Sequence, residues 1–302
     1  MFSYRHAFHA GNHADVLKHV VLVQLLRHLA AKDTPFWVID THAGAGLYAL
    51  EGEWAAQRRE FADGVGRLWE RTDLPPAVAD YLAVVRAFNP DGVLRHYPGS
   101  PFIVLRHLRE HDRLRLFELH PNEHRVLSRN LEEAGREAMQ RARVQASDGF
   151  DGPKALLPPP PRRALVLIDP AYEDKRDYAR AFGTLRDALG RFATGCYAIW
   201  YPQVQRRESL DLPRRLEGLS GARWLHASLT VSRSSPGGFG LHGSGMFVVN
   251  PPWTLRAALE GCLPWLARTL GQDAHARAGL RESGDPGAFR PPGAPRYPAR
   301  PR

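Results

Sequence analysis

The feature that most constrains this fold is a run of five apolar residues, Ala164 to Ile168, followed directly by Asp169-Pro170-Ala171-Tyr172. Such an unbroken apolar run predicts a strand that is buried on both faces, as in a parallel sheet. An acidic residue at the carboxyl end of that strand lies where open α/β sheets bind their ligands. Pro170 fixes the backbone and presents its carbonyl, and Tyr172 is expected to be an exposed ring. The run therefore predicts an α/β fold with a ligand-binding turn.

The chemistry of this turn suits a planar group that carries an amino nitrogen. A carboxylate, a stiff backbone carbonyl and an aromatic plate could together hold an adenine turned out of its base stack. An ordinary Asp-Pro turn with a packed tyrosine explains the same residues. This segment alone does not decide between the two interpretations.

The composition is that of a soluble globular protein with room for a full α/β core. The chain has 302 residues, 43% of them hydrophobic, and no apolar run approaches the roughly 18 residues of a membrane span. The amino terminus lacks the pattern of a secretory signal. Two cysteines argue against a disulfide scaffold or a cysteine-based metal site. We therefore expect a reduced, cytoplasmic protein without membrane contact.

The net charge of +9 favours a polyanionic partner such as nucleic acid. The signal is weak, because enrichment in arginine and proline also reflects a genome rich in guanine and cytosine.

A second candidate turn follows the predicted first strand, Phe36 to Asp40. It carries Gly44 and Gly46, and glycines let the backbone approach a ligand closely. Ala49 occupies the third position of the dinucleotide fingerprint G-x-G-x-x-G, so a pyrophosphate ligand is disfavoured. A nucleoside without phosphates, such as S-adenosylmethionine, fits better.

Acidic residues end two further predicted strands. The strand-like run Leu114 to Glu118 ends in Glu118, and a third predicted strand, Arg143 to Gly149, ends in Asp148-Gly149. Glycines or acids thus end four successive strands, in the order that one cofactor cleft would use. Residues 48–95 interrupt this series with apolar side chains at helical spacing, which predicts a small helical insertion. Ser100, followed by Pro101, is expected to cap the next helix.

The amino-terminal segment interleaves aromatic, arginine and histidine residues. Residues 14–31 show helical periodicity with Asn12 as the cap, and Tyr4 could either stack on nucleic acid or anchor the core. His6, His9 and His13 have one nearby carboxylate, that of Asp15, so a metal site is disfavoured.

The carboxyl-terminal third is predicted to complete the sheet. A fifth strand covers 195–202, and a hairpin-like pair covers 224–231 and 246–250. Asn250-Pro251-Pro252-Trp253 is a rival to the turn at Asp169, ranked lower because it follows the last strand. Residues 271–302 are rich in proline, glycine and arginine and are predicted to be disordered.

With these residues in view, the chain resembles the RlmJ family, the adenine(2030)-N6 methyltransferases of 23S ribosomal RNA. The motifs that carry the resemblance lie at 4–19, 40–46, 97–101, 118–121 and 167–170. It implies a class I S-adenosylmethionine-dependent methyltransferase fold, a Rossmann-like α/β sheet with a small helical insertion. The implied segments are an arm and helix (1–35), the core (36–47 and 96–270), the insertion (48–95) and the tail (271–302).

The resemblance also implies site residues. The family's cofactor contacts fall on His19, His42, Ser100, Glu118, Asp148, Gly149 and Asp169, and Tyr4 matches its substrate-facing tyrosine. Beside these, we expect Gly44 and Gly46 to contact the cofactor and Lys18 and Tyr172 to contact the substrate. Related amino-methyltransferases commonly have a second proline where this chain has Ala171. That departure relaxes the turn but removes no donor or acceptor, so we expect activity.

The expected chemistry is direct methyl transfer to an adenine amino group by a monomer without a metal. Asp169 and the Pro170 carbonyl would accept the two amino hydrogens while Tyr172 stacks on the base. A DNA-adenine or protein-amide methyltransferase is the nearest alternative, because the same turn serves all planar amino groups. A nicotinamide dehydrogenase or a non-catalytic RNA-binding protein explains fewer of these residues.

Overall fold

The computed structural model describes residues 9–50, 60–219, 221–235, 237 and 240–285. Its strands are β1 Trp37–Asp40, β2 Leu47–Ala49, β3 His96–Pro98, β4 Arg113–Phe117, β5 Ala142–Gln145, β6 Ala164–Ile168, β7 Cys196–Gln203, β8 Trp224–Thr230, β9 Gly243–Val249 and β10 Arg277–Glu282. Its helices are α1 His13–Ala30, α2 Gly66–Trp69, α3 Pro76–Arg86, α4 Ser100–Leu105, α5 Pro121–Glu133, α6 Arg136–Arg141, α7 Gly152–Leu156, α8 Arg176–Arg191, α9 Arg207–Glu217 and α10 Leu255–Leu270. A 3-10 helix covers Glu60–Asp63.

The main sheet has eight strands in the order β10-β8-β9-β7-β6-β1-β4-β5. Strands β5, β4, β1, β6 and β7 are parallel, and β9, β8 and β10 continue the sheet antiparallel. The strand order reverses between β1 and β6, because β4 and β5 are added on one side of β1 and β6 and β7 on the other. A ligand crevice is expected outside the carboxyl ends of strands at such a point. The predicted Rossmann-like α/β fold is confirmed.

Both faces of the sheet are covered, which explains the uninterrupted apolar sequence of β6. Leu165 and Leu167 face a core that includes α1, α3 and α10, whereas Val166 and Ile168 face a core that includes α8 and α9. Alternate side chains of a strand point to opposite faces, so every residue of β6 is buried.

Helix α1 is buried along most of its length and begins at the crevice. Asn12 caps it as predicted, since its side-chain oxygen accepts hydrogen bonds from the N–H groups of Ala14 and Asp15, both at 3.0 Å. The cap sets where the helix starts, and this places Asp15 and Lys18 beside the carboxyl ends of the parallel strands.

The described part of the insertion contains the 3-10 helix, α2 and α3, but it also begins in a small sheet that the sequence did not predict. Strand β2 pairs antiparallel with β3, with Tyr48 opposite Tyr97. Side chains of α3, including Tyr81 and Leu82, are fully buried in the same core as α1. The described part of the insertion therefore packs as an extension of the core.

The prediction of disorder from residue 271 onward is wrong for its first part. Strand β10 pairs antiparallel with β8 from Arg277 opposite Thr230 to Glu282 opposite Leu225. Ala278 and Leu280 alternate towards the core, and the edge of β8 supplies the hydrogen bonds. Residues 286–302 lie outside the described part of the chain. No helix of the described residues is long and apolar enough to cross a membrane.

Candidate active site

A cavity of about 940 Å³ opens at the carboxyl ends of the parallel strands, within the usual size range of small-molecule sites. Its wall includes Gly44 after β1, Glu118 after β4, Asp148 after β5 and Asp169 after β6. The structure thus brings together the four strand ends that the sequence singled out. Their binding roles stay predictions.

The glycine turn holds the carboxylate of Glu118 by its backbone. The Gly44 N–H donates to Glu118 Oε2 at 2.8 Å, and the His120 N–H donates to Oε1 at 2.7 Å. Gly44 has φ +61°, and a side chain there would meet the Tyr48 hydroxyl at 2.4 Å. Burial raises the pKa of Glu118 above its ordinary value. Because each carboxylate oxygen can accept two hydrogen bonds, Glu118 is oriented to accept from a ligand as well.

Gly46 is not among the residues that line the cavity, and its cofactor contact stays a prediction. It has φ +79°, and a Cβ atom would lie 2.7 Å from Leu127 Cδ1 and 2.9 Å from Phe102 Cε2. This glycine is required for the packing of the turn against α4 and α5.

The Asp148-Gly149 turn passes directly against the end of β1. A Cβ atom on Gly149 would lie 1.6 Å from the Thr41 carbonyl oxygen, so only glycine fits there. Asp148 Oδ1 accepts from the Phe150 N–H at 3.1 Å, and Oδ2 forms an ion pair with Arg180. Burial alone would raise the pKa of Asp148, but its hydrogen bonds and the Arg180 charge lower it.

The two predicted histidine contacts both lie in the cavity wall. His42 Nδ1 lies 2.7 Å from the Thr41 hydroxyl, and its ring packs edge-on to Phe150 at 4.6 Å. Burial lowers the pKa of His42 to about 3, so it is neutral at physiological pH. His19 is fully buried, with Nδ1 2.8 Å from the Tyr97 hydroxyl.

Ser100 does not cap its helix as predicted, because Gly99 is the N-cap residue. The Ser100 hydroxyl instead donates to Asp40 Oδ2 at 2.6 Å. Asp40 is fully buried, and burial raises its pKa to about 6. Asp40 does not itself line the cavity but holds Ser100, and the sequence predictions did not name it although it ends the first strand.

Lys18 contacts the carboxylate of Asp169. Its Nζ atom lies 2.7 Å from Asp169 Oδ2 and 2.8 Å from Asp15 Oδ1, and the side chains are 5%, 11% and 3% exposed in the order Lys18, Asp169, Asp15. Burial would lower the pKa of Lys18, but the two carboxylates outweigh it and raise that pKa. Lys18 was predicted to bind substrate, and the structure places it between these two acids.

The expectation of an exposed ring at Tyr172 is wrong. The residue is 3% exposed, its hydroxyl donates to the Trp200 carbonyl at 2.7 Å, and its ring packs against Tyr178 with centroids 4.5 Å apart. Its φ of 55° is in the left-handed region, which costs a non-glycine residue about 1–2 kcal/mol. Tyr172 is nevertheless one of the residues that line the cavity.

Sequence reasoning missed several residues of the wall, of which two contact the turn after β6. Trp200 on β7 lies with its ring centroid 5.8 Å from Lys18 Nζ and 6.0 Å from the centroid of Tyr172. Arg206 donates to the carbonyls of Tyr172 at 3.1 Å and of Glu173 at 3.2 Å. Neither residue has a local sequence signal, because both reach the turn from a separate strand and its following loop.

The remaining predictions fall outside the cavity or the described chain. Tyr4 and His6 lie outside the described residues. Asn250 of the rival turn donates to the carbonyls of Ala193 and Gly195, which directly precede β7. It therefore lies at the amino ends of the parallel strands, opposite the cavity. Among the described residues no group of three His, Cys, Asp or Glu side chains could hold a metal ion.

Known proteins share this architecture and sequence. The family model described as ribosomal RNA large subunit methyltransferase D, RlmJ, matches residues 33–280. A ribosomal RNA large subunit methyltransferase J of Escherichia coli is 46% identical over 270 residues, 89% of this chain and 94% of that protein. The protein of the same name from Haemophilus influenzae is 43% identical over 271 residues, with the same two shares.

A solved structure extends the likeness to three dimensions. A crystal structure of a Legionella pneumophila protein superposes with a TM-score of 0.81 at 32% identity, covering 91% of this chain and 97% of that one. The chain therefore belongs to the RlmJ family of ribosomal RNA large subunit methyltransferases.

Proposed function

We propose that this chain transfers a methyl group from S-adenosylmethionine to the exocyclic N6 of an everted adenine in 23S ribosomal RNA, at the adenine(2030)-type site. We further propose that it acts as a cytoplasmic monomer and needs no metal ion. The observation that carries the proposal is the placement of the Asp169 carboxylate in the same cavity wall as the Gly44 turn and Glu118.

Family membership makes the chain a methyltransferase whose cofactor is S-adenosylmethionine. When bound, this cofactor supplies a methyl group that is already activated by a sulfonium. The residues present fit it. Glu118, held by two backbone N–H groups, is suited to accept hydrogen bonds from ribose hydroxyls, and the Gly44 turn lets the backbone approach closely. Asp148, whose charge Arg180 stabilises, is suited to accept from the adenine amino group of the cofactor.

The residues at the end of β6 would hold the substrate base. An adenine amino nitrogen is a poor nucleophile because its lone pair is delocalised into the ring. Asp169 and the Pro170 carbonyl would accept its two hydrogens and favour a pyramidal nitrogen. Lys18 holds Asp169 through Oδ2 and stabilises its ionised form. The released proton passes to Asp169 or to solvent.

The aromatic part of the wall would accept the face of the base. Tyr172 and Trp200 meet at an interplanar angle of 49°, so they form a corner rather than two parallel plates. We propose that the base lies against this corner and that Tyr4 contributes from the amino-terminal arm.

The test measures methyl transfer by Asp169→Ala and Asp169→Asn to 23S ribosomal RNA from cells that lack the gene. Both variants should lose turnover by several orders of magnitude while the fold, followed by thermal unfolding, stays intact. Asp187→Ala, which removes an exposed carboxylate paired with Arg191, is the control. Full activity of Asp169→Ala would refute the assignment, and methylation of duplex DNA or protein in preference to RNA would refute the substrate.

A further inference from the structure

We propose that Arg206 is a positioning residue that holds the Asp169-Pro170-Ala171-Tyr172 turn in its reactive shape. In this chain it supplies the stiffness that a second proline at position 171 would otherwise provide. The inference rests on the proposed function only in so far as the turn holds the substrate base.

The turn needs support from outside itself. Tyr172 has φ 55°, a left-handed conformation that residues with a side chain rarely adopt. Such a conformation persists when surrounding contacts fix it. Ala171, which precedes Tyr172, is exposed and has ordinary backbone freedom, so the local sequence does not fix it.

Two contacts from β7 and its following loop supply that support. The Tyr172 hydroxyl donates to the Trp200 carbonyl at 2.7 Å and fixes the side chain. Arg206 Nη1 donates to the carbonyls of Tyr172 and Glu173 at 3.1 and 3.2 Å and fixes the main chain. Hydrogen bonds from a charged donor are stronger than those between neutral groups.

Arg206 is itself well anchored. It is the N-cap residue of α9, and its own N–H donates to the Val204 carbonyl at 2.8 Å. Its guanidinium therefore extends from the end of β7 across to the turn after β6, two neighbouring parallel strands. We call these two hydrogen bonds, from Arg206 to the carbonyls of Tyr172 and Glu173, the clamp.

Proline at position 171 would also restrict the backbone of the turn, by fixing its own φ angle. Within the described residues no hydrogen bond involves the Ala171 N–H, so proline would remove no bond there. A compatible proline reduces the flexibility of the chain, an effect of roughly two- to five-fold in an equilibrium. The clamp and the proline should therefore be partly interchangeable.

The experiment is a four-protein cycle of wild type, Arg206→Gln, Ala171→Pro and the double variant. Arg206→Gln should lower kcat for RNA methylation about tenfold with little change in KM, since a misplacement near 1 Å can cost up to about 100-fold. The double variant should regain roughly two- to five-fold in kcat. Arg207→Gln is the matched control, because Arg207 is 93% exposed and pairs with Asp211.

Hydrogen exchange of the peptide that covers the turn gives a second readout without substrate. Exchange should be faster in Arg206→Gln and slower again in the double variant. Arg206→Lys, which keeps the charge but loses the planar guanidinium, should lie between wild type and Arg206→Gln in both measurements. Thermal unfolding and S-adenosylmethionine affinity report whether each variant is folded.

If Arg206→Gln lowers kcat equally with and without Ala171→Pro, and exchange is unchanged, the proposal is overturned. A raised KM with a weaker salt dependence would do the same, because it would assign Arg206 to an RNA phosphate. If exchange shows the coupling but no variant methylates ribosomal RNA, the clamp stands and the proposed function fails.

Discussion

Replacing Lys18 by methionine removes the cation from between two buried carboxylates. Its Nζ lies 2.8 Å from Asp15 and 2.7 Å from Asp169, and the Lys18 side chain is 5% exposed, so solvent screens these contacts little. Removing one partner of a buried pair costs about 3–5 kcal/mol, because the remaining charge is uncompensated. Lys18→Met should therefore lower the free energy of unfolding by about that amount at neutral pH.

The raised pKa of Lys18 sets the pH range of this contribution. A lysine whose folded pKa is raised contributes fully below its unfolded pKa, about 10.4, and the contribution is lost only as pH rises through the folded value. Lys18 therefore stays charged from about pH 6 to 9. In the variant the carboxyl pKa of Asp169 should rise, because its neighbouring cation is gone.

The functional consequence follows from that rise. Asp169 must be ionised to accept an amino hydrogen. The rate of methyl transfer should therefore rise with pH, and in Lys18→Met this rise should occur at higher pH than in the wild type. The loss of activity should be larger at pH 6 than at pH 9.

Urea unfolding and methyl incorporation across this pH range measure both effects. Lys154→Met is the control, since Lys154 and Asp151 form an exposed pair at 2.7 Å whose loss should change neither measurement. Unfolding like that of the wild type, together with an unshifted pH profile, would refute the reasoning.

Two further predictions concern the strand ends. Burial raises the Asp40 pKa from 3.8 to about 6, so the folded state binds a proton that the unfolded state has lost. The free energy of unfolding should therefore fall by roughly 3 kcal/mol as pH rises from 4 to 6. Asp40→Asn should flatten this dependence, as measured by urea unfolding at several pH values. Gly149→Ala places a Cβ atom 1.6 Å from the Thr41 carbonyl oxygen and should cost more than about 3 kcal/mol and weaken cofactor binding in calorimetry. Gly183→Ala in α8 meets nothing within 4 Å and should stabilise by up to about 1 kcal/mol; equal effects of the two glycine variants would contradict the packing argument.

The order of elements and the position of the crevice were predictable because their signals are local. The apolar run of Ala164 to Ile168 required burial on both faces, and the sheet provides it. The polar residues that end parallel strands meet at one edge for geometric reasons, so Glu118 and Asp169 could be placed near each other without knowing the register. The cap at Asn12 depended on three neighbouring residues alone.

Contacts between distant residues were not predictable in this way. Lys18 and Asp169 are 151 positions apart, and the clamp from Arg206 crosses from one strand end to the next. The composition after residue 271 suggested disorder, yet β10 forms because β8 offers an unpaired edge. Tyr172 was expected to be exposed because it lies in the turn after a buried strand, whereas Tyr178 and Trp200 pack against it in the fold.

The charge of the cavity is opposite to that of the chain. The chain carries +9, but among the described residues the cavity wall holds ten aspartates and glutamates against four lysines and arginines. A wall of that sign disfavours phosphate groups and favours a cationic ligand, in keeping with the missing third glycine of the dinucleotide fingerprint. The excess positive charge therefore lies outside the cavity, where it can attract an RNA backbone while a single uncharged base enters the site. This separation lets one protein hold a sulfonium cofactor and a polyanionic substrate without placing their opposite electrostatic requirements in the same pocket.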